Sequence, residues 1–230
     1  MNHIVKRTLT GLAVGAAVIV AVLLAPPCAI LPAVGGLIAL AVAEYAVLLF
    51  RKVPIASFAG VVMGLVGAVV IAVGLLALPA IAVHYGDEPC GRFRLGNVML
   101  LYVVAIIKFS DVGGFAFGLS SAKLMKDGNH KMCPSISPGK SWEGMLGSVV
   151  FSCAVSCAFI PATHFAVGKA LAFGAAAALL GTAGDLVESK FKRWVGVKDS
   201  SALKITNGMG GILDMLDSLI FAPTLLLPFL

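Results

Sequence analysis

Charge is scarce in this chain. Asp, Glu, Lys and Arg together make up 12% of its 230 residues, 60% are hydrophobic, and the mean hydropathy is +1.03. That composition excludes an ordinary soluble domain. Cysteine patterns for metal or redox work are missing too, because the five cysteines (Cys28, Cys90, Cys133, Cys153, Cys157) are odd in number and form no CxxC pair. Cys153 and Cys157 lie one helical turn apart in an apolar run and read as small packing residues of a helix bundle. No internal repeat, long linker or low-complexity tail stands out. The net charge of +6 calls for no nucleic acid, since a basic face beside anionic headgroups accounts for it.

What the chain has in abundance is apolar stretches of about 20 residues, each long enough to cross a hydrocarbon core of roughly 30 Å. Spans are expected near residues 8–25, 29–50, 56–83, 95–122, 143–163, 167–188 and 211–230, the third and fourth open to a break. The opening MNHIVKRTLTGLAVGAAVIVAVLLAPP has the layout of a signal peptide, but similar segments follow at once, so it reads as a retained first span. With the N-terminus in the cytoplasm, 13 of 17 basic residues fall inside, Arg92, Arg94 and Lys169 fall outside, and Lys108 lies within a span. The positive-inside rule then sets the orientation. The fold class expected is all-α, a polytopic transmembrane bundle of about seven spans forming one domain over 1–230.

The acidic residues follow a different distribution. Of eleven, only Asp87, Glu88, Asp127 and Asp199 fall clearly in loops, whereas Glu44, Asp111, Glu143, Asp185, Glu188, Asp214 and Asp217 lie in or at the edges of spans. A charge at mid-membrane costs on the order of 3 kcal/mol even on a lenient scale, so these carboxylates need a reason. Glu44 and Glu143 can be span ends in the headgroup region. Asp185 with Glu188 and Asp214 with Asp217 are spaced i,i+3, which puts each pair on one helix face toward the cytoplasmic end. They are expected to share a pocket.

Between the pairs runs SKFKRWVGVKDSSALKITNGMGG, basic and rich in glycine and hydroxyls; KLMKDGNHKMCPSISPGKSWEG offers a similar mixture. Basic side chains with approachable Gly backbone suit a polyphosphate, and neighbouring carboxylates suit its divalent cation. The PGKS run is not a Walker loop, because the required glycine is Pro134 and no strand is expected before it. Phosphoryl or nucleotidyl chemistry at a membrane surface is the class these loops indicate.

GDLVESKFKRWVGVKDSS followed by GMGGILDMLDS closely resembles the C-terminal signature of phosphatidate cytidylyltransferases, also called CDP-diacylglycerol synthases. DVGGFAFGLSSAKLMKDGNHKMCPSISPGKSWEG is similar to the block before it, and KRTLTGL to the start of these enzymes. The resemblance is strong over residues 95–230, the catalytic region, and rests on hydropathy in the variable spans of 1–90. It implies transfer of CMP from CTP to phosphatidic acid with Mg²⁺, at a bacterial inner membrane, with no nucleic acid and with a homodimer possible. It implies that Asp185 and Asp214 hold the metal with Glu188 and Asp111 in the same set, Asp217 beside them. Lys192, Arg193 and Lys198 would act on the phosphates, and Ser137, Lys140, Ser189, Asp199 and Ser200 would bind the nucleotide.

Two departures are visible. The family's usual P-G-H-G-G is here Thr206-Asn207-Gly208-Met209-Gly210-Gly211, and its L-D-R-x-D has Met215 in the arginine's place. Any work done by that His and Arg must fall to other groups here. The alternatives are another CTP-dependent membrane lipid enzyme, of the polyprenol-kinase or CDP-archaeol type, and a transporter whose carboxylates line an ion path.

Overall fold

The computed structural model describes residues 15–126, 128–198, 200 and 211–230. Among the described residues, the expected spans are helical. A short apolar helix α1 (Gly15–Leu24) is followed by α2 (Pro27–Leu49), α3 (Phe58–Tyr85), α4 (Leu95–Leu124), α5 (Trp142–Ala158), the single turn α6 (Ile160–Thr163), α7 (Val167–Val195) and α8 (Ile212–Leu226). A 3₁₀ turn, Leu227–Phe229, ends the chain. Five of these are long and apolar enough to cross a membrane, and the chain is an all-α polytopic membrane protein. Residues 8–14 of the first expected span lie outside the described residues.

The third and fourth spans run unbroken for 28 and 30 residues, Pro79 being accommodated inside α3. The fifth does break: α5 stops at Ala158 and Pro161, in the first turn of α6, starts a separate turn. Serines set two helix starts. Ser57 Oγ accepts from Gly60 N at 3.0 Å at the head of α3, and Ser141 Oγ accepts from Gly144 N at 3.1 Å at the head of α5.

Helix α4 is the centre of the bundle, with Tyr102, Val103, Ile106 and Ile107 fully buried among α3, α7 and α8. Apolar burial gives little drive between helices in lipid, so close approach and polar ties hold them. Glycines provide the approach: a methyl group on Gly113 of α4 would come within 2.7 Å of Phe151 Cβ, and one on Gly147 of α5 within 2.5 Å of Phe117 Cβ. Polar ties are Ser152 Oγ donating to Ile106 O (2.9 Å), Ser156 Oγ donating to Ala170 O (2.6 Å), and Tyr102 OH with Ser156 Oγ (2.8 Å).

Two small antiparallel hairpins sit at opposite ends of the bundle. β1 (Pro89–Cys90) pairs with β2 (Phe93–Arg94) between α3 and α4, and β3 (Lys131–Cys133) pairs with β4 (Ser137–Ser141) between α4 and α5. The end that carries β3–β4 also gathers the C-termini of α2, α4 and α7 and the N-termini of α5 and α8. Arg51, Lys52, Lys123, Lys126, Lys131, Lys140, Lys190, Lys192 and Arg193 lie toward that end, while Arg92, Arg94 and Lys169 lie toward the other. The charge asymmetry read from sequence is therefore built into the bundle.

Candidate active site

A cavity of about 490 Å³ opens at the basic end, between α4, α5, β4, α7 and α8. Its walls include Lys108, Asp111, Ser137, Lys140, Ser148, Thr182, Asp185, Lys192, Asp214 and Asp217. Helix α7 brings Asp185 and Glu188 to one face and α8 brings Asp217 opposite. One carboxylate oxygen from each of these three lies within 4.8 Å of the others. Among the described residues they form the group close enough to share one cation.

Asp214 has a different setting. Its Oδ2 accepts from Ser200 N (2.9 Å) and Gly211 N (2.8 Å), its Oδ1 accepts from Lys192 Nζ, and its own amide donates to Ser200 Oγ (3.1 Å). It is the third residue of α8 and folds back on the helix start. The i,i+3 spacing is right about the shared face. It is Asp217, one turn further along, that meets Asp185 and Glu188.

Three lysines offset these charges. Lys140, carried on β4, places Nζ 2.6 Å from Asp185 Oδ2, and Ser189 Oγ donates to Asp185 Oδ1 at 3.3 Å. Lys192 Nζ lies 2.5 Å from Glu188 Oε2 and bridges to Asp214; all three side chains are largely buried. Lys108, midway along α4, donates to Ser218 Oγ (2.9 Å) and Met215 O (3.0 Å) and pairs with Asp111 Oδ2 (3.4 Å), which also accepts from Ser218 Oγ (3.2 Å). Among the described residues, Asp111, Asp185, Glu188, Asp214 and Asp217 thus face Lys108, Lys140 and Lys192, leaving two formal negative charges. That excess, with oxygen donors alone, fits one hard divalent cation.

The remaining expected residues are placed as follows. Ser137 is on the cavity wall, and Ser200 is buried behind it against Asp214. Arg193 is exposed and holds the β3–β4 turn through Ile136 O (3.3 Å) and the end of α7 through Val197 O (3.1 Å). Lys198 is exposed where the loop leaves α7, and Asp199 lies outside the described residues. Lys108 had no role on sequence grounds. The signal was a lysine inside a span, three residues before an aspartate.

The chain has known relatives. The family model described as Cytidylyltransferase family matches residues 55–230. A phosphatidate cytidylyltransferase of Staphylococcus aureus (strain COL) is 41% identical over 129 residues, 55% of this chain and 46% of the relative. That of Haemophilus influenzae is 37% identical over 145 residues, covering 59% and 45%, and that of Mycobacterium tuberculosis 42% over 126 residues, covering 53% and 34%. Each match spans less than half of the relative's own length.

Proposed function

The chain belongs to the cytidylyltransferase family, and from that premise we propose that it transfers CMP from CTP to phosphatidic acid, giving CDP-diacylglycerol and pyrophosphate. The site of action is the cytoplasmic face of a bacterial inner membrane. The observation that carries the reading is the cavity at the basic end of the bundle, where Asp111, Asp185, Asp214 and Asp217 on the wall, with Glu188 buried behind it, exceed three lysines by two charges.

An oxygen of the phosphatidate monoester is the nucleophile. It is already anionic near neutral pH, since the second pKa of such a phosphate is about 6. No strong base is needed. The oxygen bonds to the α-phosphorus of CTP while the bond from that phosphorus to the bridging oxygen breaks, and pyrophosphate departs with the electron pair. The site's task is therefore to align two anions and to offset charge on the leaving group. Asp185 and Asp217, with Glu188 behind them, would hold Mg²⁺, which when bound neutralises phosphate oxygens. Lys140 and Ser137 reach the cavity from β4 and are suited to bind phosphate. Lys192 keeps Glu188 and Asp214 in place from within, and Arg193 and Lys198, exposed beyond the rim, attract the incoming anions.

The test is to incubate the purified protein in lipid–detergent micelles with CTP, phosphatidic acid and Mg²⁺. Pyrophosphate and a CDP-lipid are expected in equal amounts, with loss of both in EDTA and recovery on adding Mg²⁺. Release of CDP in place of pyrophosphate would instead mark a lipid kinase.

A further inference from the structure

Glu44 is a carboxylate buried to 1% exposure near the C-terminal end of α2, outside the stretch that matches the family model. Its side chain is enclosed by protein rather than facing outward from the bundle. Its Oε2 accepts the amide of Leu213, in the first turn of α8, at 2.8 Å, and Ser200 Oγ approaches the same oxygen at 3.5 Å. The N-cap of α8 is Gly211, and a methyl group there would come within 2.6 Å of both Glu44 carboxylate oxygens. Only a residue without a side chain lets the carboxylate settle against the helix start.

The rest of α2 and the turn after it grip the other foot of the same loop. Tyr45 stacks on Phe191 near the end of α7 at 4.9 Å between centroids, and Lys52 donates to Trp194 O while its Nζ lies 4.5 Å from the Trp194 ring centre. Helix α2 thus touches the last turns of α7 and the first turn of α8, the two elements that bring Asp185, Glu188 and Asp217 together. A negative charge at a helix N-terminus is favoured by the unpaired amides and the helix dipole.

We propose that Glu44 is a positioning residue of the active site: from a span outside the matched region, it anchors the N-terminus of α8 and thereby sets Asp214 and Asp217 against the carboxylates of α7. This rests on the divalent-cation reading of that cluster. The chain of contacts runs from Glu44 through Ser200 to Asp214, and from Asp214 through Lys192 to Glu188. Gln at position 44 keeps the shape but replaces the carboxylate by an amide, half of which cannot accept from Leu213.

The experiment compares full-length Glu44→Gln, Glu44→Asp and Leu48→Ala in detergent, using Mn²⁺ as the binding probe and hydrogen exchange on the 211–217 segment. Leu48 is fully buried on the same helix and is not part of the site, so its truncation reports general loosening of α2. Glu44→Gln should weaken Mn²⁺ binding about tenfold, the usual scale for a group that orients metal ligands, and should speed exchange at 211–217. Glu44→Asp should fall between Gln and wild type, and Leu48→Ala should lower the melting temperature with Mn²⁺ affinity kept. Unchanged affinity and exchange in Glu44→Gln, or an equal loss in Leu48→Ala, would overturn the assignment. Should Glu44→Gln fail to fold, the Asp variant decides alone, and wild-type affinity and exchange there would also overturn it. A wild type that binds no Mn²⁺ removes the cation reading, and the exchange rates then judge Glu44 by themselves.

Discussion

Asp214 and Asp217 are three residues apart on one helix, yet their surroundings differ. Asp214 accepts from two backbone amides and from Lys192, so its oxygens are occupied by the protein. Asp217 accepts from the amide of Ser218 at 2.5 Å and otherwise faces Asp185 and Glu188. Replacing Asp217 or Asp185 by Asn should leave a folded protein that has lost about 10²- to 10³-fold in kcat/KM, because shape is kept and charge toward the cation is not. The double variant should cost little more than either single one, since groups serving one ion act as a unit. Asp214→Asn should lose about 1–3 kcal/mol of stability by leaving Lys192 with Glu188 alone, and less activity than Asp217→Asn. Steady-state kinetics across a Mg²⁺ series, with thermal unfolding in detergent, separates the two; equal kinetic losses at 214 and 217 would remove the distinction. The carboxylates themselves were legible because charge is rare in an apolar span. Their division was not, since spacing reports the shared face and nothing of how far along the helix a partner from α7 arrives. A hint was present in Gly211-Ile212-Leu213-Asp214, where an acidic residue three places after an N-cap folds back onto the helix start.

At the scale of elements, hydropathy located the apolar helices, five of them long enough among the described residues to cross a membrane, because each must cover its length with apolar side chains in lipid. The β3–β4 hairpin escaped, for a physical reason. Its second strand is Ser137-Pro138-Gly139-Lys140-Ser141, with two poor strand formers and no alternation, and the pairing is irregular between Lys131 and Cys133. What holds it is the packing of its ends: Trp142 N donates to His130 O at 3.0 Å, and Glu143 Oε1 lies 2.6 Å from His130 Nδ1. Those contacts tie the hairpin to the start of α5, which packs on α4. The glycines of that helix pair should then be needed for both packing and site. Gly147→Ala should destabilise the protein by about 1–3 kcal/mol, the usual range for overfilling a packed interface, and should lower activity through the displaced hairpin that carries Lys140. Gly36→Ala on α2, where a methyl group meets nothing within 4 Å, should be neutral or stabilising by up to about 1 kcal/mol. Melting temperatures of the pair in one detergent check this, and a harmless Gly147→Ala would show that the α4–α5 seam can part without penalty.

For the whole molecule, the one-sided cavity acquires meaning only from its orientation, because on the proposed cytidylyl-transfer reading CTP is available on one side of a membrane and the lipid must meet it there. The basic residues favour the β3–β4 end in the cytoplasm, and the molecule carries its own reporters of that arrangement. Cys133 lies in β3 beside the cavity end, Cys90 lies in β1 at the opposite end, and both are partly exposed. Two variants, each keeping one of these cysteines and with the other four replaced by serine or alanine, are treated in intact cells with a membrane-impermeant thiol reagent. Cys90 should react from outside. Cys133 should react only after the membrane is opened, and CTP with Mg²⁺ should then slow its labelling, since neighbouring Met132 is part of the cavity wall. Labelling of Cys133 in intact cells would turn the bundle over, setting the cavity on the side without nucleotide, and the cytidylyl-transfer reading would fall with it. Equal labelling of both from outside would mean that the hairpins are not at opposite ends of a spanning bundle, which the run of α4 between them, about 45 Å for 30 residues, does not allow.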